Sequence, residues 1–216
     1  MSNFDPPALA RVVEAGAARG TARRAGVLIH GRERDPEEMI ALAQRLDVPD
    51  IRWLAPAIEG RSWYPGRFFD PIQTNFPYVS NAFEIFDQLI ENASESGRIP
   101  STQIVLLGFS QGACLAVEYA VRNLGRARNV VSLTGGLFGS PGALWPAYPR
   151  PLARSRIFIS GSDVDDWVPQ ERTRETAKIL EGLGADVTLR MYDGRPHVIC
   201  EEEVADAREF LRGMPS

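Results

Sequence analysis

A chain of 216 residues, 44% hydrophobic and 24% charged, fits one globular domain with a full core and excludes a disordered chain. No apolar run approaches bilayer length, so no integral membrane segment is expected. A formal net charge of −4 argues against nucleic acid as the main partner.

The start of the chain lacks a basic and an apolar leader region, so a cytoplasmic location is the expectation. Cys114 and Cys200 are the only two cysteines. They are too few for a disulfide framework and lack metal-ligand spacing, so no metal is expected. The cluster Arg19, Arg23, Arg24 reads as a solvated loop.

Taken in order, residues 1–24 form a variable segment in which 8–15 fit an edge strand or a helical turn equally well. Gly26 to His30 is a short apolar run ending at Gly31, as a buried strand feeding a functional loop would be. Asp35 is an N-cap candidate, with Pro36 at the first helical position and Glu37 and Glu38 in the first turn. They open a helix whose apolar stripe is Met39, Ile40, Leu42, Ala43 and Leu46. Ile51 to Ala55 is the next strand, closed by Pro56. From Ala57 to Pro77 glycine, proline and aromatics interleave, a loop length that usually carries function. There Trp63, Tyr64, Phe68 and Phe69 cover the core or wall a substrate pocket, and they fit a homodimer interface as readily.

A long amphipathic helix is expected over about 79–96, ended by Gly97. Further strands at 130–133, 157–160 and 186–192 alternate with helices at 171–182 and 201–211. That alternation gives a doubly wound, mostly parallel α/β sheet in one domain over 1–216. The segment between 134 and 155 is too short for a large cap domain.

The strongest local pattern is Gly108-Phe109-Ser110-Gln111-Gly112, set between an apolar strand and an apolar helix. Glycines on both sides of a serine at a strand-to-helix reversal describe a nucleophile elbow, which lifts the hydroxyl clear of the sheet edge. A serine hydroxyl is a poor nucleophile at neutral pH, so it needs an imidazole as base and a carboxylate to hold the tautomer. Of the two histidines, His197 follows the serine in the chain order of this fold class, and His30 is expected to be structural. The acid lies in the loop after residues 157–160, where Asp163, Asp165 and Asp166 compete and spacing does not choose. An oxyanion hole needs two backbone N–H groups. Gln111 supplies one and Arg32, after Gly31, the other.

His30-Gly31-Arg32, Leu54-Ala55-Pro56, Ser62-Trp63-Tyr64-Pro65, the elbow through Ala113, Ser132 to Gly136, Asp163 to Asp165 with Val168-Pro169, and Gly194 to His197 occur in one order. Together they resemble the phospholipase/carboxylesterase family of α/β-hydrolases, to which acyl-protein thioesterases belong, over about residues 25–212. The resemblance implies an α/β-hydrolase fold and a cofactor-free serine hydrolase acting on a small-molecule ester. Its Asp-x-x-Val-Pro pattern carries the acid onto Asp165. Trp63, Tyr64, Phe68 and Leu137 are the expected pocket residues. Where the family has Asp-Pro this chain has Asp165-Asp166, and where the family has glycine after His-Gly-Arg it has Glu33. That carboxylate beside the oxyanion loop would repel anionic substrates or narrow the entrance. The expected activity is cleavage of short to medium acyl esters through an acyl-enzyme. The alternatives are an acyl thioesterase or lysophospholipase with the same residues, and a binding member of the fold without catalysis.

Overall fold

The computed structural model of the protein describes residues 8–123, 125–140 and 152–214. Seven strands form one sheet: β1 (Leu9–Gly16), β2 (Arg24–Ile29), β3 (Ile51–Ile58), β4 (Ile104–Phe109), β5 (Asn129–Leu133), β6 (Arg156–Gly161) and β7 (Asp186–Met191). Their order is β1-β3-β2-β4-β5-β6-β7. All neighbours pair in parallel except β1, which lies antiparallel on β3.

The helices α1 (Pro36–Leu46), α2 (Ile72–Ser94), α3 (Gln111–Arg122), α4 (Gln170–Gly182) and α5 (Glu201–Arg212) cover both faces. Alternation along the buried strands sorts the core into two layers. Val27 and Ile29 of β2 and Leu106 of β4 pack with α2, α3 and Leu180 of α4. Leu28, Val105 and Leu107 pack on the other face with Met39, Leu42 and Leu46 of α1 and Val204, Ala207 and Leu211 of α5. The architecture is the α/β-hydrolase fold, doubly wound and mostly parallel. Among the described residues no helix is long and apolar enough to cross a membrane.

The ambiguous segment 8–15 is a strand because β3 offers it a ladder, from Leu9 against Ile58 to Gly16 against Arg52. Gly16 has φ 80°, and a Cβ there would stand 2.1 Å from the carbonyl oxygen of Ile51, so the turn admits only glycine. Three expectations are corrected. Pro56 does not close β3, which continues to Ile58. The parallel register with β2 ends at Leu54, so at Pro56 only one side of the strand carries a ladder and a proline is tolerated. Asp35 makes no side-chain cap to α1; its carboxylate instead accepts a hydrogen bond from Arg61 at 2.8 Å.

Finally, α2 begins at Ile72, seven residues before the expected start, and contains Pro77. The carbonyl that Pro77 cannot reach belongs to Gln73, an exposed residue open to water. The first turn is also stapled to the preceding loop: the Asn75 side chain accepts from Gly66 N–H at 2.9 Å and donates to the Arg67 carbonyl at 2.7 Å.

The strand order reverses between β2 and β4, since the chain leaves β2 for β3 on one side and returns to β4 on the other. At such a switch point the loops beyond the carboxyl ends of adjacent strands diverge and leave a crevice. The loops in question carry His30 to Arg34 and Ser110. Of the connection between β5 and β6, residues 141–151 lie outside the described residues. No cap domain stands over the sheet among the rest.

Candidate active site

The elbow is built by close backbone approach, within its own turn at Gly108 and against β2 at Gly112. A Cβ on Gly108 would lie 2.3 Å from the carbonyl carbon of Gly112, and one on Gly112 would lie 2.1 Å from the Ile29 carbonyl oxygen. Without side chains at these positions α3 crosses directly over β2 and β4. Ser110, at φ 54° and ψ −116°, holds a backbone conformation that costs on the order of 1–3 kcal/mol for a non-glycine residue. Two hydrogen bonds hold it there: its N–H donates to the Leu133 carbonyl, and its own carbonyl accepts from Cys114 N–H, each at 3.0 Å. Gly112→Ala is therefore expected to cost about 3 kcal/mol or more, because the clash is with backbone and α3 must separate from β2. The midpoint of urea unfolding measures it, and an unchanged midpoint would show that this crossing yields freely.

His197 arrives from the loop between β7 and α5. Its Nε2 lies 2.8 Å from Ser110 Oγ and its Nδ1 lies 2.7 Å from Asp165 Oδ2. Asp165 is 7% exposed, and its Oδ1 accepts the N–H groups of Trp167 and Val168 at 2.8 and 2.9 Å. Burial opposes charge on this carboxyl. The bonds from His197 and from the two backbone groups outweigh it and hold the pKa below the ordinary Asp value. An ionised Asp165 only accepts, so Nδ1 carries the proton and Nε2 presents its lone pair to the serine hydroxyl. The arrangement can take a proton from Ser110 as its oxygen attacks and return it to a leaving group.

Asp163 and Asp166, the competing acids, are both exposed. Asp163 accepts the Gly194 N–H at 2.7 Å and so ties the acid loop to the histidine loop. His30 is 1% exposed. Its Nδ1 donates to the Gly31 carbonyl at 2.8 Å, and burial pushes its pKa below the usual value, as a structural imidazole requires.

After Gly31 the backbone turns back, with Arg34 N–H bonded to the Gly31 carbonyl and Glu33 N–H to that of Arg61. Those two donors being committed, Arg32 N–H is the donor this turn offers beside Gln111 N–H at the start of α3. Glu33 sits in the left-handed region at φ 57°, where the family's glycine would be unstrained. Arg61 holds it there, donating at 2.6 Å to the Glu33 carbonyl. Glu33 is exposed and lines the cleft.

The cleft has a volume of about 760 Å³, within the ordinary range for small-molecule sites. Tyr64 and Phe68 line it, together with Phe109, Cys114 and Trp167. Trp63 and Leu137 do not. Trp63 is 0% exposed, packed on Phe86 at a ring separation of 5.4 Å, with its indole N–H on the His30 carbonyl. Leu137 is buried too, its N–H bonded to Thr176 and its carbonyl to Arg172. An irregular loop has no period by which inward and outward side chains could be told apart. Trp63, Tyr64 and Phe68 are buried within the fold, and Phe69 is half-buried.

The structure adds a side-chain role at Gln111 and residues the motifs did not single out. The Gln111 side chain accepts from Trp63 N–H and donates to the Tyr64 carbonyl, each at 2.8 Å. It thereby clamps the pocket loop onto the elbow. Arg34, Arg67 and Asp70 form part of the rim. Trp167, 57% exposed, flanks His197 at 6.3 Å between ring centres; a tryptophan directly after two acids was the available signal. Cys114 meets the cleft beside the serine, but burial pushes its thiol up to about 12, which keeps it protonated and poorly nucleophilic. Among the described residues no three His, Cys, Asp or Glu side chains are grouped to hold a metal ion.

Comparison with known proteins gives the family. The family model described as phospholipase/carboxylesterase matches residues 22–214. An acyl-protein thioesterase 1 of Gibberella zeae is 30% identical over 128 residues, 59% of this chain and 54% of that relative. The chain thus spans about half the length of the curated relatives it matches. Among solved structures, a phospholipase/carboxylesterase from Dyadobacter fermentans superposes with a TM-score of 0.89 at 31% identity, covering 97% of this chain and 99% of that one. A carboxylesterase from Mesorhizobium loti shares the fold at a TM-score of 0.72 and 20% identity, covering 89% and 90%. With the family matched along nearly the whole sheet and the elbow inside the matched span, the chain belongs to the phospholipase/carboxylesterase family.

Proposed function

We propose that the protein is a serine hydrolase that cleaves carboxylic esters of short to medium acyl chains through an acyl-enzyme. Ser110 Oγ attacks the carbonyl carbon while His197 Nε2 takes its proton. The N–H groups of Arg32 and Gln111 receive the negative charge that develops on the carbonyl oxygen. Collapse of the tetrahedral species expels the alcohol, which leaves with the proton from His197. Water, deprotonated by the same imidazole, then releases the acid. Asp165 holds the imidazole in the tautomer each step needs.

The observation that carries this reading is the unbroken relay from Asp165 through His197 to Ser110, at 2.7 and 2.8 Å, opening into the cleft. A fluorophosphonate probe tests it, because labelling requires an activated serine. The expected result is one adduct per chain on Ser110, and absence of labelling would favour a binding member of the fold.

The acyl preference is supported by the cleft wall. Tyr64, Phe68 and Cys114 are each at most 5% exposed, and Tyr64 is backed by Phe138 at 4.9 Å between rings. A wall supported in this way leaves little depth for a long chain. In a series of p-nitrophenyl esters kcat/KM is expected to peak below about twelve carbons. A peak beyond that length would contradict it. The names of the relatives favour one further reading, an acyl thioesterase using the same residues. Rates on an ester and a thioester of the same acyl group decide between them.

A further inference from the structure

Packed around the His197 loop is a buried polar group that the proposed reaction does not use. Arg195, two residues before the histidine, is 6% exposed and Glu203, in the first turn of α5, is fully buried. One guanidinium nitrogen, Nη1, donates to the Val198 carbonyl and so closes over the histidine from both chain directions. The other, Nη2, donates to Thr134 Oγ1 at 2.8 Å. Glu203 accepts the hydroxyl proton of Ser160 through Oε1, while its Oε2 stands 3.7 Å from Arg195 Nη1. Ser160 Oγ in turn accepts the Thr134 N–H at 3.1 Å. The circuit Arg195, Thr134, Ser160, Glu203 therefore joins the carboxyl ends of β5 and β6, the start of α5 and the loop that carries His197.

We propose that Arg195 and Glu203 are positioning residues, which hold the His197 imidazole in register with Ser110. The proposal rests on the reading of Ser110 and His197 as nucleophile and base. Neither side chain touches a reacting atom. The groups in direct contact with the imidazole are Asp165 and Ser110, with the rings of Phe109 and Trp167 beside it. None of these fixes the loop backbone. Besides the circuit, the backbone is tied by the Tyr192 N–H on the Gly161 carbonyl at 3.0 Å, by the Val198 N–H on the Pro196 carbonyl at 2.7 Å and by the Gly194 N–H on Asp163, and the Tyr192 side chain donates to Asp206 at 2.7 Å.

Stability alone does not call for such a pair. Replacing a buried ion pair by apolar side chains of similar volume is often neutral or stabilising. Among the described residues Glu203 Oε2 has no hydrogen-bond donor, so the guanidinium is its compensation. A pair that adds little to stability but clamps both sides of the proposed base fits a role in placing that base. Displacing a reacting group by about 1 Å can cost on the order of 10²-fold in rate.

The test separates folding from placement. In the double variant Arg195→Met/Glu203→Leu the melting temperature is expected to stay near that of the parent. Its kcat on a short p-nitrophenyl ester should fall about 10–100-fold with KM within about twofold, and fluorophosphonate labelling of Ser110 should slow in parallel. Arg195→Lys, which restores the charge without the two-pronged bond, should lie between Arg195→Met and the parent. Should the double variant not fold, the near-isosteric Glu203→Gln is expected to lower kcat about 3–10-fold. A folded double variant with parental kcat, or a parental kcat in Glu203→Gln, overturns the positioning role while Ser110→Ala remains inactive. Activity persisting in Ser110→Ala overturns the nucleophile reading itself, and the positioning role with it.

Discussion

Ser110→Ala is expected to lower kcat on short p-nitrophenyl esters by about 10⁴–10⁶-fold, with the protein still folded and still binding substrate. The size follows from what alanine removes. The cleft, the two N–H donors and the imidazole remain, so water could still be activated, but the covalent route is gone and with it the division of one difficult step into two easier ones. Folding should be little changed, because the bonds that hold residue 110 at its positive φ are made by its backbone to Leu133 and Cys114 and survive the substitution. Steady-state rates with active-site titration check it. A variant retaining more than about a tenth of parental activity would place the nucleophile elsewhere.

Asp165→Asn should lower kcat by about 10⁴-fold, because an amide in place of the carboxylate can donate toward Nδ1 and favours the wrong tautomer, with the proton on the nitrogen that should face the serine. The neighbouring acids provide the control. Asp166→Asn, at an exposed position, should change kcat less than about twofold, and Asp163→Asn should act only through its bond to Gly194 N–H. If Asp163→Asn or Asp166→Asn were the inactive variant, the acid would be misassigned. Acid unfolding gives a second readout. The folded-state pKa of Asp165 lies below its unfolded value, so its stabilisation is complete at neutral pH and is lost as pH falls through the folded value. Stability measured from pH 7 down to pH 3 should therefore decline less in Asp165→Asn than in the parent.

What could be seen in the chain was what neighbouring residues impose on one another. The apolar runs of β2, β4, β5 and β6 and the helices α4 and α5 were legible because period and breaker residues act within a few positions. The start of α2 was not legible. Pro77 reads as a boundary, and only the bonds of Asn75 to the loop around Gly66 and Arg67 show why the helix begins before it. The pocket loop was likewise visible as a loop, yet Trp63 turns inward and Tyr64 reaches the cleft for reasons that lie on other elements, His30, Phe86 and Gln111.

Two glycines four residues apart, on either side of a serine and set between an apolar strand and an apolar helix, made the elbow legible, since the contacts that exclude a side chain at Gly108 are with its own next turn, though those at Gly112 are with Ile29 of β2. The partners of that serine are another matter. His197 lies 87 positions along the chain from Ser110, and Asp165 lies 32 positions from His197. Three aspartates stood within four residues of one another, and two of them face solvent. Only the packed sheet, with its layers of apolar side chains on both faces, brings one of them, Asp165, under the backbone N–H groups of Trp167 and Val168 and against the imidazole. Steric exclusion between chain neighbours is written in the order of residues. Proximity between distant ones depends on the apolar faces that the whole fold removes from water.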